Sequence, residues 1–362
     1  LTLLPFLAVT GELKTKPTQH SVKTLLESGV QPDVLVCRSE HAIDEDIRRK
    51  LALFTNVRPK NVIESRDAST IYEVPVMMYK EKLDESVLDY FGLESKQQPD
   101  LDKWRDFLSR LKYPKRTVEI GLIGKYVELK DSYKSITEAF IHAGAANEVE
   151  VKIRWIHSEH LTEKNAASTC KGLDGLLVAP GFGERGFEGK VATVQYAREN
   201  KIPYFGICYG MQAAVIEYAR NVLGYTKANT TEVDPETDKP VIALMDEQMH
   251  ITDKGGTMRL GAQKCDLIEG SIAKAAYGET HITERHRHRY EFNNDFKDAL
   301  TGAGLKATGI NPDSGLVEIV EVEDHPFFVG VQYHPEYKST VVKPHPLFVA
   351  FVKACDEFHQ KK

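Results

Sequence analysis

The sequence predicts an α/β fold made of two units. Apolar runs of strand length alternate with amphipathic stretches of helix length along most of the chain, which is the pattern of a sheet covered by helices. Residues 94–100 are rich in glutamine and charged side chains and contain a proline, a composition typical of a linker between two such series. With 362 residues, the chain is long enough to bury two hydrophobic cores.

The first unit lies before this linker. The alternation predicts strands over residues 3–9, 34–37 and 62–65 and helices over residues 21–27 and 44–54. A polar, helical stretch follows over residues 76–115 and includes a predicted helix over residues 101–111. We place the start of the second unit near Pro114.

The second unit repeats the strand and helix patterns. Its predicted strands cover residues 118–123, 151–156, 175–178, 202–205 and 329–334, and its predicted helices cover residues 132–145, 213–219 and 347–358. The last helix has Leu347, Phe351, Cys355 and Phe358 on one face, so we expect that face to pack in the core.

Composition argues against several classes of protein. A net charge of −6 is unlike the basic footprint of a nucleic-acid-binding protein. The sequence has no apolar run near the roughly 18 residues that a membrane-spanning helix needs, and the apolar residues 1–9 lack the basic start of a signal peptide. The five cysteines are widely spaced with no C-x-x-C pair, which predicts neither a zinc site nor a disulfide framework and fits a cytoplasmic protein.

The segment Gly206-Ile207-Cys208-Tyr209-Gly210 lies between a predicted strand and a predicted helix. A nucleophile on such a turn adopts a strained backbone, and glycines two residues away on either side relieve the crowding. The helix N-terminus behind the sulfur favours the thiolate. Most free cysteines are simply buried, but that interpretation leaves the flanking glycines unexplained. We therefore predict that Cys208 is a nucleophile.

A nucleophilic cysteine needs a base, and the sequence offers His334. It ends the predicted strand at residues 329–334 and is followed by Glu336. Reactive groups of α/β proteins collect at the carboxyl ends of parallel strands, so His334 and Cys208 could meet there. Glu336 has the charge to orient the imidazole and to stabilise its cationic form. A histidine at a strand end is more often a surface residue, and it is the pairing with Cys208 that favours a role here.

Together these two segments resemble the class I glutamine amidotransferases, whose Cys-His-Glu triad releases ammonia from glutamine. The triad alone is compatible with GMP synthase, carbamoyl-phosphate synthase and γ-glutamyl hydrolase. Residues 11–21, 255–261 and 284–291 resemble the CTP synthase family, and this resemblance covers essentially the whole chain. It implies the C-terminal part of a P-loop-like synthetase α/β domain over residues 1–75, an interdomain helical linker over residues 76–115, and a flavodoxin-like amidotransferase α/β domain over residues 116–362.

The implied activity is ATP-dependent amination of UTP to CTP with ammonia from glutamine. The resemblance also implies Mg²⁺ with ATP, GTP as allosteric activator, CTP as feedback inhibitor and a homotetramer, without a prosthetic group and without nucleic-acid or membrane partners. The sequence contains no glycine-rich phosphate loop and no acidic pair that we can assign to Mg²⁺. In the family these groups lie N-terminal to the opening segment, so we expect a fragment with glutaminase chemistry only and no metal ligands of its own.

By resemblance, the amides of Gly181 and Tyr209 form the oxyanion hole. Glutamine binding is implied for two sets, namely Gly210, Met211 and Gln212 after the nucleophile and Glu232 with Arg289 further on. A carboxylate suits an α-amino group and a guanidinium suits an α-carboxylate. Two residues depart from the family pattern, because Pro180 replaces a glycine and Tyr209 replaces a leucine. The larger Tyr209 ring could alter the wall facing glutamine or the exit for ammonia.

The resemblance places the UTP and CTP site in a loop after the first strand and on the following helices. The implied residues are Lys14, Thr15, Lys16, Pro17, Thr18, Gln19 and Lys50. Arg66, Asp67 and Ala68 match the positions that contact ATP. Residues 255–261, in which Arg259 is a candidate anion ligand, and residues 185–189 match the region of GTP activation, although residues 243–254 form a shorter stretch than in many relatives.

Two other classes of protein are alternatives to the CTP synthase family. A free-standing hydrolase such as γ-glutamyl hydrolase shares the nucleophile, but it has no use for the lysine-rich segment at residues 14–19. A non-catalytic assembly module has no use for Cys208, His334 and Glu336 together. Both classes account for less of the sequence than the CTP synthase family does.

Overall fold

A computed structural model gives the structure of the protein over residues 1–95, 97–244 and 258–362. The chain divides into two units, Leu1–Leu108 and Ser109–Lys362. The α-helices are α1 (Lys16–Glu27), α2 (Glu45–Thr55), α3 (Val74–Lys80), α4 (Leu83–Phe91), α5 (Asp102–Lys112), α6 (Lys134–Ala146), α7 (Glu163–Thr169), α8 (Phe187–Glu199), α9 (Tyr209–Asn221), α10 (Ile272–Tyr277), α11 (Lys297–Gly302) and α12 (Pro346–His359). The strands are β1 (Thr2–Leu3), β2 (Phe6–Leu7), β3 (Glu12–Leu13), β4 (Leu35–Ser39), β5 (Val62–Arg66), β6 (Arg116–Gly124), β7 (Val149–His157), β8 (Gly175–Val178), β9 (Tyr204–Ile207), β10 (Asn229–Thr230), β11 (Pro240–Ala243), β12 (Arg259–Leu267), β13 (His281–His288), β14 (Glu291–Phe292), β15 (Leu305–Ile310), β16 (Val317–Val322) and β17 (Phe328–Val331).

The first unit has a parallel sheet in the order β1-β4-β5. Its core includes Leu4, Leu35, Leu51 and Val62. The single strand predicted over residues 3–9 is wrong, since β1 ends before Pro5 and β2 pairs instead with β3. Proline has no amide proton to donate to a sheet, which explains the interruption.

Helix α1 begins at Lys16, five residues before the predicted start at residue 21. Pro17 lies in its first turn, where the fixed φ of proline suits a helix and its missing amide proton costs no intrahelical hydrogen bond. Residues 16–19 are therefore helical, and the prediction that they form a loop is wrong.

The second unit is built on a nine-stranded sheet in the order β13-β12-β15-β16-β17-β9-β8-β6-β7. Strands β17, β9, β8, β6 and β7 are parallel, and the other four extend the sheet in antiparallel fashion. One apolar cluster includes residues of α8 and α9, and a second includes residues of α6 and α12. The predicted α/β fold is confirmed, but the sequence analysis did not predict the antiparallel half.

The order β17-β9-β8 brings three carboxyl ends to one edge of the sheet. In register, Val331 pairs with Ile207, and Phe205 pairs with Leu177. The segments that follow these strands begin at Gln332, Cys208 and Ala179. They lie side by side although they are far apart in sequence, which is where α/β folds place ligands. Among the helices of the described ranges, none has the length and apolar character to cross a membrane.

Candidate active site

Cys208 lies on the turn between β9 and α9. Its backbone has φ 52° and ψ −101°, and its amide donates a 2.7 Å hydrogen bond to the carbonyl of Val331. The flanking glycines allow a close approach of the backbone. A Cβ at Gly206 would lie 2.7 Å from the carbonyl carbon of Gly210, and a Cβ at Gly210 would lie 2.3 Å from the carbonyl oxygen of Val178. Side chains at these positions would therefore push α9 away from the sheet.

His334 follows β17, and its amide donates to the carbonyl of Arg285 at 2.8 Å. Its Nδ1 lies 2.8 Å from Oε1 of Glu336, and both side chains are buried. A carboxylate at this distance fixes Nδ1 as the protonated nitrogen and leaves Nε2 to exchange protons. The ring of Tyr337 stacks on the imidazole with a centroid distance of 5.2 Å. His334 and Cys208 line the same cavity.

The electrostatics favour the protonated form of His334. Burial lowers the pKa of His334, but the negative charge of a Cys208 thiolate and the hydrogen bond with Glu336 outweigh burial and raise it to about 11. Nε2 of His334 is buried and has no partner in hydrogen-bonding geometry among the residues that the structure describes. An imidazolium beside a thiolate is the reactive state of a cysteine nucleophile.

The other four cysteines lie in different surroundings. Burial raises the pKa of Cys170 to about 11 and that of Cys37 to about 12, and it raises the pKa values of Cys265 and Cys355 further. None of these four lines the cavity among the residues that the structure describes. Cys208 is thus the cysteine that the described structure equips for chemistry.

Gln332 also contacts the nucleophile, and the sequence analysis missed it. Its Nε2 lies 3.7 Å from Sγ of Cys208, and its Oε1 accepts from Nε2 of Gln212 at 3.2 Å. Gln212 also donates to the carbonyl of Tyr290 at 3.0 Å. Since a carbonyl can only accept, this chain fixes which way each amide points and leaves the Gln332 donor facing the sulfur. A glutamine in an otherwise apolar strand end was the available signal.

The two amides expected to form an oxyanion hole belong to Tyr209, which follows the nucleophile in the chain, and to Gly181. Tyr209 is the first residue of α9, so its amide has no acceptor within the helix. Gly181 follows β8 and lines the cavity. Both are peptide N–H donors, the kind of group that can stabilise an oxyanion, and their role here stays a prediction.

The Tyr209 ring does not alter the cavity wall as expected. It is buried, packs against Phe187 with a centroid distance of 5.0 Å, and donates from Oη to the carbonyl of Gly183 at 2.7 Å. Tyr209 is absent from the side chains that line the cavity in the described residues. Its contacts with the Phe187 ring and the Gly183 carbonyl fix the position of the Tyr209 side chain.

The cavity has a volume of about 630 Å³ and holds several of the predicted glutamine ligands. Gln212, Glu232 and Arg289 line it together with Cys208 and His334. Oε1 of Glu232 accepts from the amide of Gly183 at 2.9 Å, and burial raises the pKa of Glu232. A carboxylate and a guanidinium in one cavity match the two charges of an amino acid.

Gly210 and Met211 do not line this cavity within the described chain. Gly210 packs against Val178, and Met211 is fully buried beside Gly330. Their positions in the first turn of α9 turn them toward the sheet, so their implied contact with glutamine has no support from the cavity.

The Arg/His run at residues 285–289 lies mostly in strand β13. Residues alternate along it, so His286 and His288 are buried while Arg285 and Arg287 are exposed. Burial lowers the pKa of His286 to about 3. Three residues at the end of this run, Arg287, His288 and Arg289, line the cavity.

The proposed GTP segment is only partly described. Residues 255–257, like the rest of residues 245–257, lie outside the described residues. Arg259 begins β12, and its partly buried side chain lies between two carboxylates, at 2.5 Å from Glu318 and 3.5 Å from Glu291. The expectation that Arg259 is an anion handle in a lid is therefore wrong, because its charge is already paired inside the unit. In the other GTP loop, Arg185 pairs with Glu159 at 2.6 Å.

In the first unit, several residues implied for UTP or CTP already contact other residues of the protein. Thr15 precedes α1 and its hydroxyl accepts from Nε2 of Gln19 at 3.2 Å, and the Thr18 hydroxyl donates to the carbonyl of Leu3 at 2.9 Å. The Lys14 ammonium contacts Glu12, and Lys16 lies 5.6 Å from the ring centre of Phe54.

Lys14 and Lys50 act on the same carboxylate. The Lys14 hydrogen bond first, and the charges of Lys14 and Lys50 after it, lower the pKa of Glu12. The charge of the exposed Lys50 of α2 therefore reaches Glu12 of β3. Two lysines on one side of the unit suit a polyphosphate.

Arg66, Asp67 and Ala68 lie at and just after the end of β5. Oδ1 of Asp67 accepts from Nε of Arg38 at 3.0 Å, and the amide of Asp67 donates to the carbonyl of Ser39. Arg66 and Asp67 are exposed at the carboxyl end of a parallel strand. No group of three or more His, Cys, Asp or Glu side chains in the described ranges could hold a metal ion.

Comparison with known proteins agrees with this geometry. A profile of the class I glutamine amidotransferases matches residues 128–354, and a profile of the CTP synthase N-terminus matches residues 1–93. The CTP synthase of Flavobacterium johnsoniae is 63% identical over 361 residues, which cover 100% of this chain and 67% of that protein. The chain belongs to the CTP synthase family. The resemblance found in the sequence is therefore confirmed.

Two further members of the family show the same relationship. The CTP synthase of Porphyromonas gingivalis is 52% identical over 100% of this chain and 67% of its own length. The glutaminase domain of a Trypanosoma brucei CTP synthase, solved with bound acivicin, is 39% identical with a TM-score of 0.62. That match covers 66% of this chain and 94% of the trypanosomal domain.

Proposed function

We propose that this chain hydrolyses glutamine to glutamate and ammonia at Cys208, and that the ammonia serves the amination of UTP to CTP. One observation carries the proposal. Cys208 has the strained backbone of a nucleophile elbow, at φ 52°, and lines one cavity with the buried His334–Glu336 pair. The trypanosomal relative was solved with acivicin in its glutaminase domain, which supports glutamine as the substrate class.

Glutamine would be held by its two charged groups. The Glu232 carboxylate would accept from the α-amino group, and Arg289 would donate to the α-carboxylate, since both side chains line the cavity. Oε1 of Glu232 is already fixed by the Gly183 amide, which leaves Oε2 for the substrate. The buried Oε1 of Gln212 has no partner among the described residues and is a second acceptor for the amino group.

The chemistry begins with attack of the Cys208 thiolate on the side-chain carbonyl carbon of glutamine. The carbon–sulfur bond forms, and the amides of Gly181 and Tyr209 donate to the oxyanion. The His334 imidazolium gives its Nε2 proton to the departing nitrogen, ammonia leaves, and a thioester remains. The now neutral His334 takes a proton from water, which attacks the thioester. Glutamate leaves, and the thiolate and the imidazolium are restored.

Within the proposal, the first unit contributes to nucleotide binding. Lys14, Lys16 and Lys50 supply positive charge for UTP or CTP, and the end of β5 offers Arg66–Ala68 to ATP. No described residue is assigned to Mg²⁺. Activation by GTP, assembly into a homotetramer and a cytoplasmic location remain proposals that rest on membership of the family.

The test is release of ammonia and glutamate from glutamine by the purified chain, with and without GTP. We expect equal amounts of the two products from the wild type and at least about a thousandfold loss in Cys208→Ala. Cys170→Ala is the matched control, because it removes a buried thiol outside the cavity and should keep the activity. Equal activity of Cys208→Ala and the wild type would contradict the proposal.

A further inference from the structure

Lys190 is a buried lysine that the mechanism above does not use. It lies on α8 with 1% of its surface exposed, behind the loop that follows β8. Its Nζ donates to the carbonyl of Ala179 at 2.6 Å and to that of Pro180 at 3.4 Å. Burial first, and the charge of Lys125 second, lower its pKa to about 7. Burying the amine of a lysine costs free energy of folding. The two carbonyl contacts of Lys190 therefore suggest that the residue has a function.

The contact with Pro180 bears on the oxyanion hole. In a planar trans peptide, the carbonyl of one residue and the amide proton of the next point in opposite directions. The peptide joining Pro180 to Gly181 is trans. Its carbonyl faces Lys190 in the interior, and its amide proton therefore faces the other way, toward the cavity that both residues line.

Lys190 also packs directly beneath this peptide. A Cβ added at Gly181 would lie 3.1 Å from Nζ of Lys190 and 3.5 Å from the ring of Tyr209. The Nζ lies 5.0 Å from the centre of that ring. The side chain is thus held in place by an aromatic face and two carbonyls, and it has little freedom to release the peptide.

The next part of the loop has anchors of its own. The Lys125 ammonium donates to the carbonyl of Phe182. Tyr209 Oη donates to the carbonyl of Gly183, whose amide donates to Glu232. These anchors hold the loop downstream of Gly181, whereas Lys190 contacts the carbonyl of the Pro180–Gly181 peptide itself.

We propose that Lys190 is a positioning residue that holds the Pro180–Gly181 peptide with its amide proton directed at the oxyanion of the glutaminase reaction. The inference rests on the proposed glutamine hydrolysis. A carbonyl released from Lys190 can rotate with its peptide, and the oxyanion then loses one of its two donors.

The test compares Lys190→Met with the wild type in kcat and KM for glutamine hydrolysis. It also compares the affinity for two inhibitors. The aldehyde analogue of glutamine adds to Cys208 and forms a tetrahedral adduct with an oxyanion, whereas glutamate binds without one. We expect kcat and aldehyde affinity to fall together by about ten- to a hundredfold, approaching the loss of one oxyanion donor. KM and glutamate affinity should change less than about twofold.

Two further variants separate positioning from folding. Lys190→Gln keeps a donor on a shorter side chain and should fall between the wild type and Lys190→Met in both kcat and aldehyde affinity. Arg198→Met is the control on the same helix, since Arg198 pairs with the buried Glu217 at 2.7 Å and should affect stability alone.

A Lys190→Met variant with unchanged kcat and aldehyde affinity would overturn the inference, as would a parallel loss of glutamate affinity. A wild type that releases no ammonia would overturn the proposed function itself. Should Lys190→Met fail to fold, a Lys190→Gln variant with wild-type kcat and aldehyde affinity would overturn the inference, and one with both reduced would support it.

Discussion

The backbone of Cys208 leads to a prediction about stability that is independent of activity. At an ordinary buried position, replacing alanine with glycine costs about 0.5–1 kcal/mol in backbone entropy and about 0.8 kcal/mol for the lost methyl group. At φ 52° and ψ −101°, any residue with a Cβ also bears a strain of about 1–3 kcal/mol that glycine does not bear. Glycine in place of alanine at position 208 should therefore lower the free energy of unfolding by about 1–3 kcal/mol less than the same replacement does at an unstrained site.

Ala143 supplies the matched unstrained site, since it is fully buried within α6. The assay is urea unfolding of Cys208→Ala, Cys208→Gly and Ala143→Gly, analysed by the linear dependence of the free energy of unfolding on urea. The chain has two tryptophans, and in a Trp104→Phe background the remaining Trp155 of β7 reports on the second unit alone. Equal costs of the alanine-to-glycine exchange at positions 208 and 143 would refute the strain at the nucleophile.

Two other predictions concern packing and pH. Gly210→Ala places a Cβ 2.3 Å from the carbonyl oxygen of Val178 and should destabilise the second unit by about 1–3 kcal/mol in urea unfolding. Gly302 has open space around it, so Gly302→Ala should change the free energy of unfolding by less than about 0.5 kcal/mol. Similar losses in both variants would contradict the close approach at Gly210. Lys190 has a folded pKa of about 7, below the unfolded value of about 10.4, so between these values the unfolded chain binds more protons and stability due to this group rises with pH. The wild type should therefore gain free energy of unfolding relative to Lys190→Met as pH rises from 7 to 10, and a difference independent of pH would contradict the buried, uncharged state.

Much of the parallel half of the second unit could be predicted from sequence. Short apolar runs with flanking glycines mark β8 and β9, and the rule that reactive groups lie at strand ends places Cys208 and His334 at one edge of the sheet. Hydrophobic periodicity is a local signal, and these elements are locally clear. Their boundaries shifted by a few residues because caps and turns depend on neighbours in space.

Features set by distant contacts could not be predicted. Arg259 was expected in a ligand-binding lid because Glu318 and Glu291, which neutralise it, come from other strands. Gln332 and Lys190 gain their importance from contacts with the sulfur of Cys208 and with the loop after β8, and neither contact follows from sequence spacing. Periodicity shows which face of a strand is buried, but it does not show what that face meets.

The start of α1 shows a third limit. Thr15, Lys16 and Pro17 have the composition of a loop, and the sequence analysis assigned them to one. Instead, Lys16 and Pro17 begin α1, because proline enters the first turn at a position that needs no amide proton. Loop composition and helix-start composition overlap, and the polar side chains were available for internal hydrogen bonds as readily as for a nucleotide.

The central claim is that Cys208 is the activated nucleophile, and labelling tests it most directly. The chain is treated with a diazo-ketone analogue of glutamine, and the modified cysteine is located by peptide mapping. We predict modification of Cys208 alone, because it shares its cavity with the His334–Glu336 pair while burial raises the pKa values of the other four thiols. Labelling at Cys170 or Cys265 in place of Cys208 would contradict the account.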